Sequence, residues 1–158
     1  MIKLIFRTHL VFGLFLGLLF LRFFKNDWII FLLIVCFSSV LADIDYPKSK
    51  IGKNIKLVSW LLNKILGHRG FLHTIYPVLF VFFLLIFLKQ NLFGYAFLIG
   101  YSSHLFLDML TKQGIGLFYP VFKIKLKGFI KSGGKLEFII FYFVLFLDFL
   151  YVIINFLI

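Results

Sequence analysis

The fold predicted by this sequence is all-α: a polytopic membrane bundle of about five transmembrane helices plus one interfacial amphipathic helix, forming a single integral membrane domain over residues 1–158. Three observations predict it. Hydrophobic residues fill 63% of the 158 positions, 25 of them Phe, and mean hydropathy is +1.08; one soluble core cannot hide that much apolar surface. Five stretches are long or apolar enough to cross a hydrocarbon core of ~30 Å, which asks for about 20 helical residues. The basic residues, finally, gather on one side of those stretches.

Leu4 to Phe24 is the first span. It has the basic start and apolar middle of a signal peptide, but no small-x-small cleavage site closes it, so it is expected to be retained. Arg22 interrupts it and can snorkel its guanidinium outward. Trp28 to Ala42 is the second, and its 15 uncharged residues make only ~22 Å of helix at ~1.5 Å per residue. Cys36, the single cysteine, lies inside it, so no intrachain disulfide forms and the fold rests on helix packing.

The segment "IKLVSWLLNKIL" sets Ile55, Val58, Leu61, Leu62, Ile65 and Leu66 on one helical stripe, with Lys56, Ser59, Asn63 and Lys64 elsewhere. That pattern describes a short helix lying on the membrane surface, and Gly67 suits its C-terminal cap. Gly70 to Leu88 and Gln90 to Leu107 are the third and fourth spans. The loop "TKQGIGLFYPVFKIKLKGFIKSGG" mixes glycines with an alternating "FKIKLKGF" run, which fits a small hairpin or an interfacial cover. Leu136 to Ile158 is the fifth span. No internal repeat or domain boundary appears.

The formal charge is +11. Fourteen of the 17 Lys and Arg residues, from Lys3 and Arg7 through the second and fourth loops, share one face, opposite Arg22, Lys25 and Lys89. The positive-inside rule then orients a multi-pass cell-membrane protein with its N-terminus in the cytoplasm and its C-terminus outside. Topology and anionic headgroups account for the charge, so membrane lipids are the expected partners and nucleic acid is not. Oligomeric state is not legible.

Polar, protonatable groups collect at the cytoplasmic ends of all five spans. His9 opens the first, Asp43 and Asp45 close the second, His68 and His73 lead into the third, His104 and Asp108 leave the fourth, and Glu137 opens the fifth. In "HLFLD", His104 and Asp108 are four residues apart and so share a helix face, where two ligands can reach one ion. A hydrogen-bonded structural pair is the competing account of that spacing, but so many carboxylates at one depth repel one another unless protonated or bridged by cations.

"HRGFLH" sets two imidazoles around a glycine at a spacing that fits a turn leading into a helix, with interfacial histidines at headgroups as the alternative. Arg69 is one of three arginines against 14 lysines; its planar fork suits phosphate or carboxylate, and it is otherwise a positive-inside anchor. "LADIDYPKSKIG" puts two aspartates on a turn stopped by Pro47, which suits a cation or simply ends a helix. Glu137, after "KSGGK", reads as ligand, general base, or an acid stabilised by a helix dipole. Asp27 reads as solvated surface. Asp148 falls near the middle of the last span, where a charge is expensive, so it is expected to be protonated or hydrogen-bonded within the bundle and is not assigned to the site.

Together "RTHLVFG", "LADIDYPKSKIG", "HRGFLHT", "GYSSHLFLDMLTKQGIGLFYP" and "SGGKLE" resemble, in order and over nearly the whole chain, the motifs of the YdjM-like family of predicted membrane-bound metal-dependent hydrolases. The resemblance implies a helical membrane protein with a cytoplasm-facing metal site built from His9, Asp43, Asp45, His68, His73, His104, Asp108 and Glu137. Ala42 stands where a proline is common, a departure that affects the turn and not the ligands. More loosely, the polar pattern is similar to that of zinc-dependent phospholipase C.

Eight candidate ligands exceed the needs of one tetrahedral ion, so the expectation is one or two divalent ions, zinc first, with manganese or iron as alternatives. Asp45 or Glu137 is then the expected general base and Arg69 the group that neutralises a phosphoryl. A site at headgroup depth meets lipids or lipid-linked phosphates, so phosphoester hydrolysis leads. A non-catalytic metal-binding regulator or structural envelope protein is the alternative. A transporter would place its ionisable groups near the midplane, and a bis-His haem would not call for the carboxylates.

Overall fold

The structure, a computed structural model, describes residues 4–67 and 69–156. Lys3 and His68, which both carry sequence expectations, lie outside the described residues. Among the described residues six α-helices follow one another: α1 Leu4–Phe20, α2 Trp28–Leu41, α3 Lys56–Leu66, α4 Ile75–Phe87, α5 Asn91–Leu110 and α6 Lys135–Phe156. Short 3-10 turns at Leu21–Phe23, Lys25–Asp27, Ala42–Asp45 and Phe71–His73 join or extend them. Among the described residues there is no strand, only two isolated bridges, Thr111 with Ile130 and Ile115 with Leu126.

The all-α membrane bundle expected from the sequence is therefore what forms. Among the described residues three segments, Phe6–Phe23, Lys25–Asp45 and Lys135–Asn155, are long and apolar enough to cross a membrane, and α4 is apolar but shorter. The fourth expected span is α5, which has 20 residues, about 30 Å of helix, but carries the polar side chains that the others surround. The third span starts later than the sequence suggests, because Phe71–His73 forms a 3-10 turn and Thr74 is extended before α4 begins.

Packing is arranged around α5. Helix α2 lies against it, α1 crosses both, α4 covers its other side and α6 lies along α1. Apolar side chains cannot drive this assembly alone, since lipid is as apolar as Leu; close backbone approach through small residues does so instead. A Cβ on Gly13 would stand 2.5 Å from Ser39 Cβ, and one on Gly100 would stand 2.2 Å from the Val35 carbonyl oxygen. Around those crossings Leu18, Leu21, Phe31, Val35 and Ala96 form one buried cluster, and Ala42, Val78, Tyr101, Leu105 and Ile115 another.

The amphipathic α3 turns its polar side inward. Ser59 is buried and Asn63 donates from Nδ2 to the Asp45 carbonyl at 2.9 Å. Leu57, Val58, Trp60, Leu61 and Ile65 are exposed, as befits a helix whose apolar face meets lipid. The loop left open between hairpin and cover is a folded-back segment. Ile115 and Leu126 exchange backbone hydrogen bonds, Lys112 N–H donates to the Ile130 carbonyl, and the Leu117 carbonyl accepts from Ile75 N–H at the start of α4. Its inner residues Thr111, Ile115 and Ile130 are buried, while Phe118, Val121, Phe122, Ile124 and Phe129 are exposed.

Candidate metal centre

His9, Asp43, His73, His104 and Asp108 meet at one end of the bundle in two overlapping triads, His9–His104–Asp108 and Asp43–His73–His104. Each candidate ligand is set by local chain chemistry. On α1, His9 and Gly13 are four residues apart and so share a face; on α5, Gly100, His104 and Asp108 follow the same spacing. The glycines one turn deeper let the helices close until the His9 and His104 rings stand 4.1 Å apart, centre to centre.

Asp43 and Asp45 ride on the 3-10 turn that prolongs α2, held by Ser49 Oγ, which donates to the Asp43 carbonyl at 2.8 Å. His73 ends the turn Phe71–His73, where the Tyr101 hydroxyl donates to the Leu72 carbonyl at 2.7 Å. The chain reaches that turn through Arg69, whose φ of 57° is left-handed, and Gly70, where a Cβ would lie 1.7 Å from the Leu66 carbonyl oxygen. Only glycine fits such an approach.

The histidines are oriented from behind. His104 Nδ1 lies 2.8 Å from the Ser39 carbonyl oxygen; a carbonyl only accepts, so Nδ1 carries the proton and Nε2 presents a lone pair in the neutral ring. Asp45 Oδ2 lies 3.3 Å from His73 Nδ1 and accepts from Arg69 N–H at 3.2 Å, which favours the proton on that nitrogen and leaves His73 Nε2 facing the centre. This is the carboxylate–histidine arrangement that stands behind metal ligands.

The two Nε2 atoms are 3.3 Å apart. Asp108 Oδ2 lies 3.5 Å from His73 Nε2 and 3.8 Å from His104 Nε2, and it is buried without a hydrogen-bond partner among the described residues. Two donors each ~2.1 Å from an ion, at a tetrahedral angle, stand about 3.4 Å apart. Three lone-pair atoms converging at that spacing, one of them a sealed carboxylate oxygen, fit a divalent cation. Asp43 Oδ1 stands 4.0 Å from His104 Nε2, and His9 Nε2 stands 3.6 Å from Asp108 Oδ1. His73 and His104 are fully buried, whereas the Asp43 side chain is 15% exposed and forms the open edge.

Three expected site residues sit elsewhere in this geometry. Asp45 stands behind His73. Arg69 grips Asp108, donating from Nη2 to Oδ1 at 2.8 Å and from Nη1 to Thr111 Oγ1 and the Gly114 carbonyl. Glu137 accepts from Thr8 Oγ1 through Oε1 and from Gly133 N–H through Oε2, reaching back over the start of α6 as a capping glutamate does. It still shares with His9 the wall of a cavity of about 20 Å³, room for one water. His68 lies outside the described residues.

Sequence reasoning missed Gly13, Gly17, Ser38, Ser39, Ala96 and Gly100, which permit the crossings. Their signal is present in "GLFLG" and in the four-residue step from Ala96 to Gly100, a small-xxx-small pattern.

A family model described as YdjM inner membrane protein matches residues 4–157. The chain belongs to the YdjM family. Within that family it is 32% identical over 103 residues to the Inner membrane protein YdjM of Escherichia coli (strain K12), covering 61% of this chain and 52% of that protein. The Shigella flexneri protein of the same name gives the same figures. It is 30% identical over 102 residues to the Uncharacterized protein YvsG of Bacillus subtilis (strain 168), covering 63% of this chain and 64% of that protein. The matched stretches thus span from about half to just under two thirds of the curated relatives. No solved structure matches the chain. As a YdjM family member with long apolar helices, it is a membrane protein with His and Asp groupings that could hold a metal.

Proposed function

We propose that the chain is a membrane-embedded, metal-dependent hydrolase that cleaves a phosphoester in a lipid or lipid-linked substrate from the cytoplasmic side. The observation that carries this reading is Asp108 Oδ2, a sealed oxygen that has no hydrogen bond among the described residues and faces two imidazole Nε2 atoms. Imidazole nitrogen and carboxylate oxygen suit zinc, with manganese or iron as alternatives. Because His104 spends Nδ1 on Ser39 and both triads draw on His104, one ion is favoured over two.

His9, His73, His104 and Asp108 would hold the ion. When bound, it supplies Lewis acidity toward a phosphoryl oxygen and lowers the pKa of a water to about 7. Asp45 keeps the His73 ring in register. Asp43, at the open edge, replaces Asp45 as the group placed to take a proton from water, and Glu137, across the small cavity from His9, is the second candidate. Arg69 spends three hydrogen bonds on Asp108, Thr111 and Gly114, leaving part of its five-donor fork for a substrate oxygen.

Position supports a lipid substrate. The outward apolar face of α3 and the exposed Phe118 to Phe129 run, both interleaved with lysines, flank this end of the bundle, which suits headgroup depth and anionic lipid. The predominance of Lys and Arg on the same side supports a cytoplasmic site.

One observation favours a second reading, a metal that only ties helices together in a regulator or structural protein: His73 and His104 are fully buried. The test is elemental analysis of the purified full chain, followed by phosphate or headgroup release from phospholipid vesicles with and without chelator. The expected result is about one equivalent of zinc and turnover that chelator or His104→Ala abolishes while membrane insertion persists. Should chelation lower thermal stability with no product from any phospholipid, the second reading takes its place.

A further inference from the structure

A groove lies away from the metal centre, between α1, α2 and α6. It is open along one side, offers about 890 Å³ and is walled by Leu14 and Leu18, by Leu32, and by Leu145, Phe149 and Val152, with Asp148 among them. That volume falls in the roughly 300–1,000 Å³ range of small-molecule pockets. Asp148 is 5% exposed, and neither of its oxygens has a hydrogen-bond partner among the described residues. Of the two states expected for this acid, protonated or hydrogen-bonded within the bundle, the described residues do not provide the second. It sits eleven residues beyond Glu137 on α6, about 16 Å along the helix, too far to serve the metal centre.

We propose that this groove is a second binding site, for a long-chain lipid bearing a free hydroxyl, such as a fatty alcohol or a diacylglycerol. A buried carboxyl group without a partner is costly inside hydrocarbon, and intramembrane acids ordinarily find one. The apolar walls call for a chain, and the single acid calls for one polar group on it. A hydroxyl satisfies a carboxyl group in either protonation state, donating to the carboxylate or exchanging donor and acceptor with the acid. An ammonium group would either bring an unpaired charge beside the neutral acid or form an ion pair with both charges taken out of water, and both are costly in hydrocarbon. Trp28, at the start of α2, also lines the groove, and a Trp at a helix end suits the interface from which a lipid would enter. The site stands independently of hydrolysis at the other end.

The full chain, reconstituted in phosphatidylcholine and phosphatidylglycerol vesicles, would be photolabelled with a diazirine analogue of palmityl alcohol, with its methyl ether and with the matching amine. Peptide mapping should place the alcohol between Tyr142 and Val152, favoured about tenfold over the ether, the weight of one good hydrogen bond. Asp148→Leu should erase that preference. Asp148→Asn, which keeps a donor and an acceptor in the same shape, should retain it and guards against a fold defect in the leucine variant. Equal labelling by alcohol and ether, a preference that survives Asp148→Leu, or stronger labelling by the amine would overturn the proposal. So would a disulfide-linked dimer from Phe149→Cys in a Cys36→Ser background, since a second copy would then fill the groove.

Discussion

One imidazole, His104, binds three parts of the molecule: its Nδ1 rests on α2 through Ser39, its Nε2 faces His73, and its ring lies on His9. Residues that never touch the centre set its geometry, and Asp45 is the clearest. Asp45→Asn keeps size and shape but replaces the carboxylate facing His73 Nδ1, so the ring loses the partner that favours its tautomer. Zinc affinity, read by competition with a chelating dye, should fall about 10- to 100-fold while helix content holds. An unchanged affinity would show that Asp45 only closes the turn. Arg69→Ala acts differently: it strips Asp108 of a 2.8 Å partner at a site where the carboxylate side chain is 2% exposed, and breaking a buried pair costs about 3–5 kcal/mol. Thermal unfolding in detergent should show that loss, and Arg69→Lys should restore only part of it, because a point charge cannot span Asp108, Thr111 and Gly114 together.

At the scale of the element, the α2–α5 crossing decides whether a centre exists at all. A methyl at Gly100 would meet Ser38 Oγ at 2.1 Å and the Val35 carbonyl oxygen at 2.2 Å; backbone cannot step aside as a side chain can. Gly100→Ala should therefore push the helices apart, cost about 1–3 kcal/mol and draw His104 away from Ser39, weakening metal binding as well as stability. Gly94→Ala, on the same helix, meets the flexible end of Ile86 at 3.2 Å and should leave both nearly unchanged. Equal effects at the two positions would argue that the crossing is not what holds the ligands. The helix spans themselves were legible to within a few residues because runs of Phe, Leu and Ile broken by Lys, Gly and Pro leave little choice in a bilayer. The late start of α4 was not, since it depends on Arg69 adopting a left-handed φ that no local pattern announces.

For the whole molecule, the candidate ligands lie at one end and Lys25 and Lys89 belong to the turns at the other, so orientation can be read chemically. With Cys36 replaced by Ser, a cysteine at exposed position 89 should react with an impermeant thiol reagent in intact cells, and one at exposed position 64 should not; the opposite pattern would reverse the assigned sides. The sequence by itself determined that this is a helical membrane protein whose imidazoles and carboxylates gather at one depth, because hydropathy, charge bias and the four-residue His104–Asp108 step are properties of neighbours along the chain. Only the tertiary structure decided that Asp45 stands behind His73, that Arg69 holds Asp108 and that Glu137 caps α6. Which oxygen faces a ring nitrogen and which faces a backbone N–H follows from how closely separate helices approach, and that is set by the glycines and serines at their crossings rather than by the ligands themselves.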